Sequence, residues 1–239
     1  MTVVNTSITV IQQDAAFGPG AASDLLVGAR LVRVYDGDPV PSVDDVAGGL
    51  VVLGGGVGVH EQDAAAWLAP VRDLMAGALA AEAPVLAIGL GAQLLAQAGG
   101  GHVQVDAPPG LECGPVQLFW RRGALEDPVL AAVVSETERT MLAVACHRDA
   151  VAELPPTAQW LASSELYPFQ AFRIGSGLGL QFQPEATAEL VERWTADLDE
   201  DEREAQRAAF AESREGIEQH GVAILTAFVE SVARDTMPA

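Results

Sequence analysis

The 239-residue sequence predicts an α/β domain: a doubly wound, mostly parallel sheet flanked by helices, with an antiparallel extension and a C-terminal helical segment. Three observations carry this reading. Short apolar runs rich in β-branched residues alternate with Ala/Leu-rich helical stretches over the first hundred residues. Beyond Gly101 the texture changes to β-rich segments separated by turns. An acidic run then leads into an amphipathic stretch near the C-terminus.

Residues 8–11, 31–34, 50–53 and 85–88 read as buried strands, because each is a short apolar run between turn-forming residues. Residues 63–82 read as a helix, with Trp67, Leu68, Val71, Leu74, Met75 and Leu79 at helical spacing and Pro70 within the first turns. Residues 91–97 read as the next helix. The segments 103–105, 115–120, 141–146, 160–162, 170–174 and 178–182 supply the antiparallel extension. Residues 187–198 read as helical, and the acidic run 197–204 as a solvated linker or a helix N-terminus. In the amphipathic stretch 205–234, Phe210, Ile217, Val222, Ile224, Leu225, Phe228, Val229 and Val232 form an apolar stripe. It packs either on its own domain or on a second copy or docking partner. The expected organisation is one domain over residues 1–198 and an acidic linker with a helical extension over 199–239.

Composition excludes whole classes of function. All 13 basic residues are arginine, against 33 acidic ones, for a formal charge of −20. Without lysine there is no Schiff base, no lysine anchor for a cofactor and no P-loop lysine, which removes pyridoxal-phosphate enzymes, lysine aldolases and Walker-type NTPases. A nucleic acid is not expected as partner, since counterion release needs clustered cations. Apolar runs stop well short of a bilayer span, which needs ~18 or more residues, so no membrane association is expected. Cys113 and Cys146 sit in no metal-binding spacing and no secretory leader is recognisable; a reduced, cytoplasmic protein is the simplest reading. The four histidines are scattered, so neither a metal nor a cofactor is expected.

Three separated segments carry chemistry. Val51-Val52-Leu53-Gly54-Gly55-Gly56 is a strand running into a glycine turn. Pro84-Val85-Leu86-Ala87-Ile88-Gly89-Leu90-Gly91-Ala92-Gln93-Leu94-Leu95-Ala96 is a strand, a tight elbow and a helix. Leu178-Gly179-Leu180-Gln181-Phe182-Gln183-Pro184-Glu185 follows near the end of the sheet. Between them lie Cys146-His147-Arg148-Asp149 and Gln170-Ala171-Phe172-Arg173. Together these strings resemble the class I (triad-type) glutamine amidotransferases, especially the stand-alone type related to the amidotransferase domain of GMP synthase. The resemblance covers most of residues 7–190 and implies a flavodoxin-like fold.

In that family a cysteine at the elbow attacks the glutamine carbonyl, a histidine is its base, a glutamate orients the histidine, and ammonia passes to a partner synthase. Here Gly89 stands at the nucleophile position and Gln183 at the histidine position, while Glu185 retains the orienting carboxylate. Glycine cannot form a thioester, and a carboxamide has no nitrogen that titrates near neutrality. The resemblance therefore implies that glutaminase chemistry by the family mechanism is absent. It also implies that the Gly55 and Leu90 amides form an oxyanion hole, and that Gly56, Gln93, Cys146, Arg148 and Asp149 border the ligand site.

Substitute groups are few. Cys146 is either a replacement nucleophile or a small core residue, and its neighbour His147 points to the opposite face of a strand. His60, followed by Glu61, lies in the glycine loop as an acid/base candidate or as an exposed loop residue. Cys113 reads as core, His102 as a sheet-edge residue and His220 as a helix-surface residue. Glu185 is expected to accept a bond from the Gln183 amide, to cap a helix starting near Ala186, or to act as a base. Two functions follow: a degenerate amidotransferase that binds a small amino-acid-like or amide ligand, or a partner synthase, or a second copy of itself; and, alternatively, a repurposed enzyme carrying out another acyl or amide reaction in a biosynthetic pathway.

Overall fold

The computed structural model describes residues 8–46 and 48–235. The first seven and last four residues of the two expected segments lie outside them. Strands β1 (Ile8–Gln12), β2 (Arg30–Arg33) and β3 (Gly49–Val52) are followed by helix α1 (Leu68–Ala80), strand β4 (Val85–Ile88) and helix α2 (Leu90–Ala98). Next come β5 (His102–Gln104), β6 (Glu112–Trp120), β7 (Thr140–His147), β8 (Ala150–Glu153), β9 (Gln159–Ser163), β10 (Ala171–Ile174) and β11 (Gly177–Leu180). Helices α3 (Ala188–Trp194) and α4 (Glu200–Asp235) complete the described chain.

Nine strands form one sheet in the order β2-β1-β3-β4-β11-β10-β9-β6-β7. The β2-β1-β3-β4-β11 portion is parallel, and β10, β9, β6 and β7 continue it with antiparallel pairs. The period-two alternation of a strand explains how the sheet is covered on both faces. Ile8, Val10, Val51, Leu86 and Ile88 point to one side, where they meet Ile224, Leu225, Phe228 and Val232 of α4. Ile11, Leu50, Val52, Val85 and Ala87 point to the other, against Val71, Leu74 and Met75 of α1 and Leu94 and Leu95 of α2. Burying each such side chain contributes about 1.5–3 kcal/mol before entropy is counted.

The apolar stripe of the C-terminal stretch thus packs on its own sheet, with Phe210 and Ile217 held beneath α3. Val222 is left 38% exposed. Helix α4 takes in most of the acidic run: Glu200, Asp201 and Glu202 occupy its first turn, where they complement the helix dipole. Asp199 Oδ1 accepts the Glu202 amide at 2.9 Å just before it.

Three elements differ from the sequence reading. Residues 63–67 form turns, and α1 begins only at Leu68, which makes Pro70 its third residue, where its missing N–H costs nothing. Strand β5 pairs with β8, an unanticipated strand, in a separate two-stranded sheet. Helix α3 starts at Ala188 with the Thr187 hydroxyl accepting the Leu190 amide, and ends four residues earlier than the predicted 198.

Candidate functional site

Strand β4 lies parallel to β11 with Ile88 opposite Leu180, so the residues that follow both strands leave the sheet at the same carboxyl edge. Gly89 comes off β4, and Gln181 to Glu185 come off β11. The Gly89 amide donates to the Leu180 carbonyl at 2.8 Å, and the Gln183 amide to Val144 O at 2.8 Å. Gly89 holds φ 55° and ψ −116°, a conformation that only glycine adopts at little cost, and α2 starts at the next residue. A Cβ added at Gly89 would lie 3.3 Å from Gln183 Nε2 and 3.5 Å from Gly54 Cα. Gly91 permits another close approach, because a Cβ there would collide with the Val52 carbonyl of β3. The elbow is thus intact, and the two substituted positions face each other across it.

A cavity of 680 Å³ opens over the elbow. Gly55, Gly56, Gly89, Leu90, Gln93 and Gln183 line it, as do His60, Cys146, Arg148 and Asp149. Those ten predicted site residues therefore meet in one place. Gln93 Nε2 donates to the Asp149 carbonyl at 2.9 Å and lies 3.4 Å from Gln181 Oε1, tying α2 to the 146–149 turn. The glycine loop is braced from within: Gly56 N donates to Asp14 Oδ2 at 3.1 Å and Gly58 N to Glu61 Oε2 at 3.3 Å. A second cavity, 500 Å³ between α3 and α4, contains none of the predicted residues.

Glu185 takes up neither of the two hydrogen-bonding roles expected of it. Its side chain does not line the elbow cavity but sits among Leu53, Ile88, Leu225 and Phe228 around a small apolar void. It is fully buried, and neither oxygen meets a hydrogen-bonding group of another described residue. Burial pushes its carboxyl up to about 8 from an ordinary value near 4.5, with its own backbone N–H offsetting only part of that. The expected bond from the Gln183 amide is absent among the described residues, and Thr187, not Glu185, caps the following helix. The physical reason is position: the Gln183-Pro184-Glu185 turn carries the carboxyl under the elbow, away from the polar cavity.

Cys146 also requires correction. It stands opposite Cys113 in the β6–β7 register, and the two are joined by a disulfide, so neither is a free thiol. The pairing replaces both the nucleophile reading of Cys146 and the expectation of two reduced cysteines. Both line the cavity wall, and Cys146 also packs against the cluster around Phe17, Val144 and Trp194. Cys146 Sγ also lies 3.6 Å from the carbonyl of Trp194, whose indole donates to Ala16 O at 3.0 Å and stacks on Phe17.

His147 faces away from Cys146, as strand alternation requires, into a buried polar network. Its Nδ1 lies 3.1 Å from Asp149 O and its Nε2 3.1 Å from Glu112 Oε2. Ser164 Oγ donates to Glu112 Oε1 at 2.6 Å, and Gln170 Nε2 donates to Glu112 Oε2 at 2.5 Å. This network braces the 146–149 turn and was not visible in the sequence, although His147 and Gln170 sit in the two connecting strings. Asp14, Gln181, Trp194 and Asp197 also line the cavity without having been singled out. Asp14, two residues beyond β1, carried a signal: loops at the carboxyl ends of parallel strands build the sites of such sheets. Among the described residues no cluster of His, Cys, Asp or Glu is placed to hold a metal ion, and no helix is long and apolar enough to cross a membrane.

A mostly parallel, doubly wound sheet with a strand-elbow-helix at its carboxyl edge and a Gln-Phe-Gln-Pro-Glu segment following its last strand defines a class I amidotransferase fold. The chain belongs to the glutamine amidotransferase class-I family, whose model matches residues 31–193. Among solved structures, it is similar to a glutamine amidotransferase from Thermotoga maritima, with a TM-score of 0.80 and 22% identity over 96% of this chain and 98% of that one. A glutamine amidotransferase from Methylobacillus flagellatus aligns with a TM-score of 0.76 and 23% identity, covering 94% of each chain. A putative GMP synthase subunit from Thermoplasma acidophilum aligns with a TM-score of 0.64 and 17% identity over 96% of this chain and 94% of that one. No curated protein matches the sequence.

Proposed function

We propose that this chain is an amidotransferase-like pseudoenzyme: it lacks the cysteine and histidine needed for glutamine hydrolysis and keeps the elbow cavity to bind a small amino-acid-like or amide ligand. The observation that carries the reading is the pair Gly89 and Gln183. The place where a side chain would emerge from the elbow lies 3.3 Å from Gln183 Nε2, so these are the two positions from which a nucleophile and its base would act. Neither a thiol nor an imidazole is there.

The remaining cavity suits a carbonyl. Leu90 opens α2 and lines the cavity together with Gly55, and a helix N-terminus at that point favours a partial negative charge. The binder acts as a regulatory or scaffold protein beside a biosynthetic enzyme; support comes from the likeness in fold to a putative synthase subunit. The domain over residues 1–198 is the ligand-binding unit in this reading, and α4 (Glu200–Asp235), within the extension over 199–239, braces it.

Ammonia release from glutamine tests the proposal. The unmodified chain is expected to release none above the buffer rate while glutamine or a related amide raises its melting temperature. Robust hydrolysis by the unmodified chain would sink the reading. Gly89→Cys combined with Gln183→His restores the side chains, and any activity it gains shows that the loss was confined to those two positions.

A further inference from the structure

Resting on the proposed binding function, we infer that the ligand of the elbow cavity is a cationic amide: a carboxamide carrying an ammonium group and no free carboxylate. The charge lining the cavity selects for it. Asp14, Glu61, Asp149 and Asp197 face the cavity, as does Asp106, against only two guanidinium groups. Both of those are already engaged, Arg193 with Glu189 Oε1 at 2.6 Å and Arg148 with Asp106 Oδ1 at 3.8 Å. Carboxylates thus outnumber guanidinium groups five to two around the cavity, so an ammonium is favoured there over a carboxylate.

The glycine loop strengthens the selection. Its Gly56 and Gly58 amides are of the kind that hold anions, but Asp14 and Glu61 already occupy them. The loop thus presents fixed carboxylates to the cavity in place of free N–H groups. With 33 acidic and 13 basic residues in the chain, the field outside the cavity also repels anions before they arrive.

The floor supplies an independent observation. Gln181 and Gln183 are each 1% exposed and line the cavity, yet Gln181 Nε2 and Gln183 Oε1 have no hydrogen-bond partner among the described residues. A buried amide without a partner costs roughly 1–3 kcal/mol, so this floor is incomplete without a bound group. One unmet donor and one unmet acceptor match the acceptor and donor of a primary carboxamide. The amide end of the ligand then sits over Gly89, and the ammonium points to the acidic rim.

Calorimetric titration of the full chain at pH 7 tests this with four probes of similar size: 4-aminobutanamide (cation), glutamine (zwitterion), butanamide (neutral) and glutaramate (anion). The cation is expected to bind tightest and the anion weakest, with at least about tenfold between them at low salt, shrinking as salt screens the rim. Asp197→Asn, an exposed change, is expected to weaken the cation about threefold and leave butanamide unchanged. Equal affinity for the cation and the anion, or equal weakening of both charged and neutral probes by Asp197→Asn, overturns the charge preference while leaving amide binding standing. If none of the four binds, both the preference and the proposed binding function fall.

Discussion

Two walls of the same fold each bury a glutamate, and they treat it in opposite ways. Glu112, 5% exposed, is met by His147, Ser164 and Gln170, whose polar atoms all lie within hydrogen-bond reach of its two oxygens. Glu185, fully buried, meets no polar group of another described residue. The first is built into the 146–149 side of the cavity, and the second lies in the apolar layer beneath the elbow. A carboxyl group is costly to bury alone and cheap to bury in company. The contrast indicates that the cavity wall is held by a satisfied polar network, whereas the elbow wall carries a carboxyl with no polar partner among the described residues.

The largest effect should come from breaking the satisfied wall. Glu112→Ala strands the polar atoms of Ser164, Gln170 and His147 in the interior, and a cost of about 4 kcal/mol is expected in urea unfolding. Because His147 Nδ1 holds the Asp149 carbonyl, which also accepts from Gln93, the same variant should loosen the 146–149 turn and weaken ligand binding. A loss below about 1 kcal/mol would show that the network is decoration and remove the contrast between the two walls.

The second prediction concerns pH and runs in the opposite direction. Glu185 is raised in the fold to about 8 from near 4.5, so the folded state holds a proton that the unfolded chain gives up. Stability is therefore greatest below pH 4.5 as far as this group is concerned, falls as pH rises, and levels off above about 8. At pH 7 the burden is on the order of 3 kcal/mol. Glu185→Gln, which cannot ionise, is expected to recover most of it at pH 7 and nothing at pH 4. Melting curves of both proteins across that range decide the point; a constant difference with pH would mean that Glu185 has a partner in solution.

How much of this was legible before the structure depends on how far apart the cooperating residues lie. The elbow was legible because it is local: a buried strand, a glycine and an Ala/Leu helix are contiguous from Val85 to Ala98. Gln183 could be placed opposite Gly89 through its closing string, and β11 pairing with β4 then sets the contact. The Glu112 network could not be read, since its members come from β6, β7 and the segments between β9 and β10, up to 58 residues apart. The disulfide failed for a related reason. Cys113 and Cys146 are 33 residues apart and meet only because the β6–β7 register sets them opposite, which no local pattern encodes. The start of α1 differs because Asp63-Ala64-Ala65-Ala66 has high helix propensity, yet the tertiary context holds these residues in turns before Leu68.

The smallest effect asks whether the elbow itself has relaxed. At φ 55° and ψ −116°, an L-residue with a Cβ is held outside its favoured basins, so Gly89→Ala is expected to cost about 1–2 kcal/mol. The added Cβ would stand 3.3 Å from Gln183 Nε2, a tight contact that a shift of a few tenths of an ångström at the end of that side chain relieves, and 3.5 Å from Gly54 Cα. The cost is therefore conformational, and Gly89→Cys should carry nearly the same one, its thiol entering the cavity beside Gln183. That equality separates two histories of the site. If alanine and cysteine destabilise alike, the backbone still holds the geometry that a nucleophile required, and glycine merely removes the strain. If both are tolerated without cost, the elbow has shifted to accept any residue, and the emptied wall has drifted further from its relatives than its hydrogen bonds indicate.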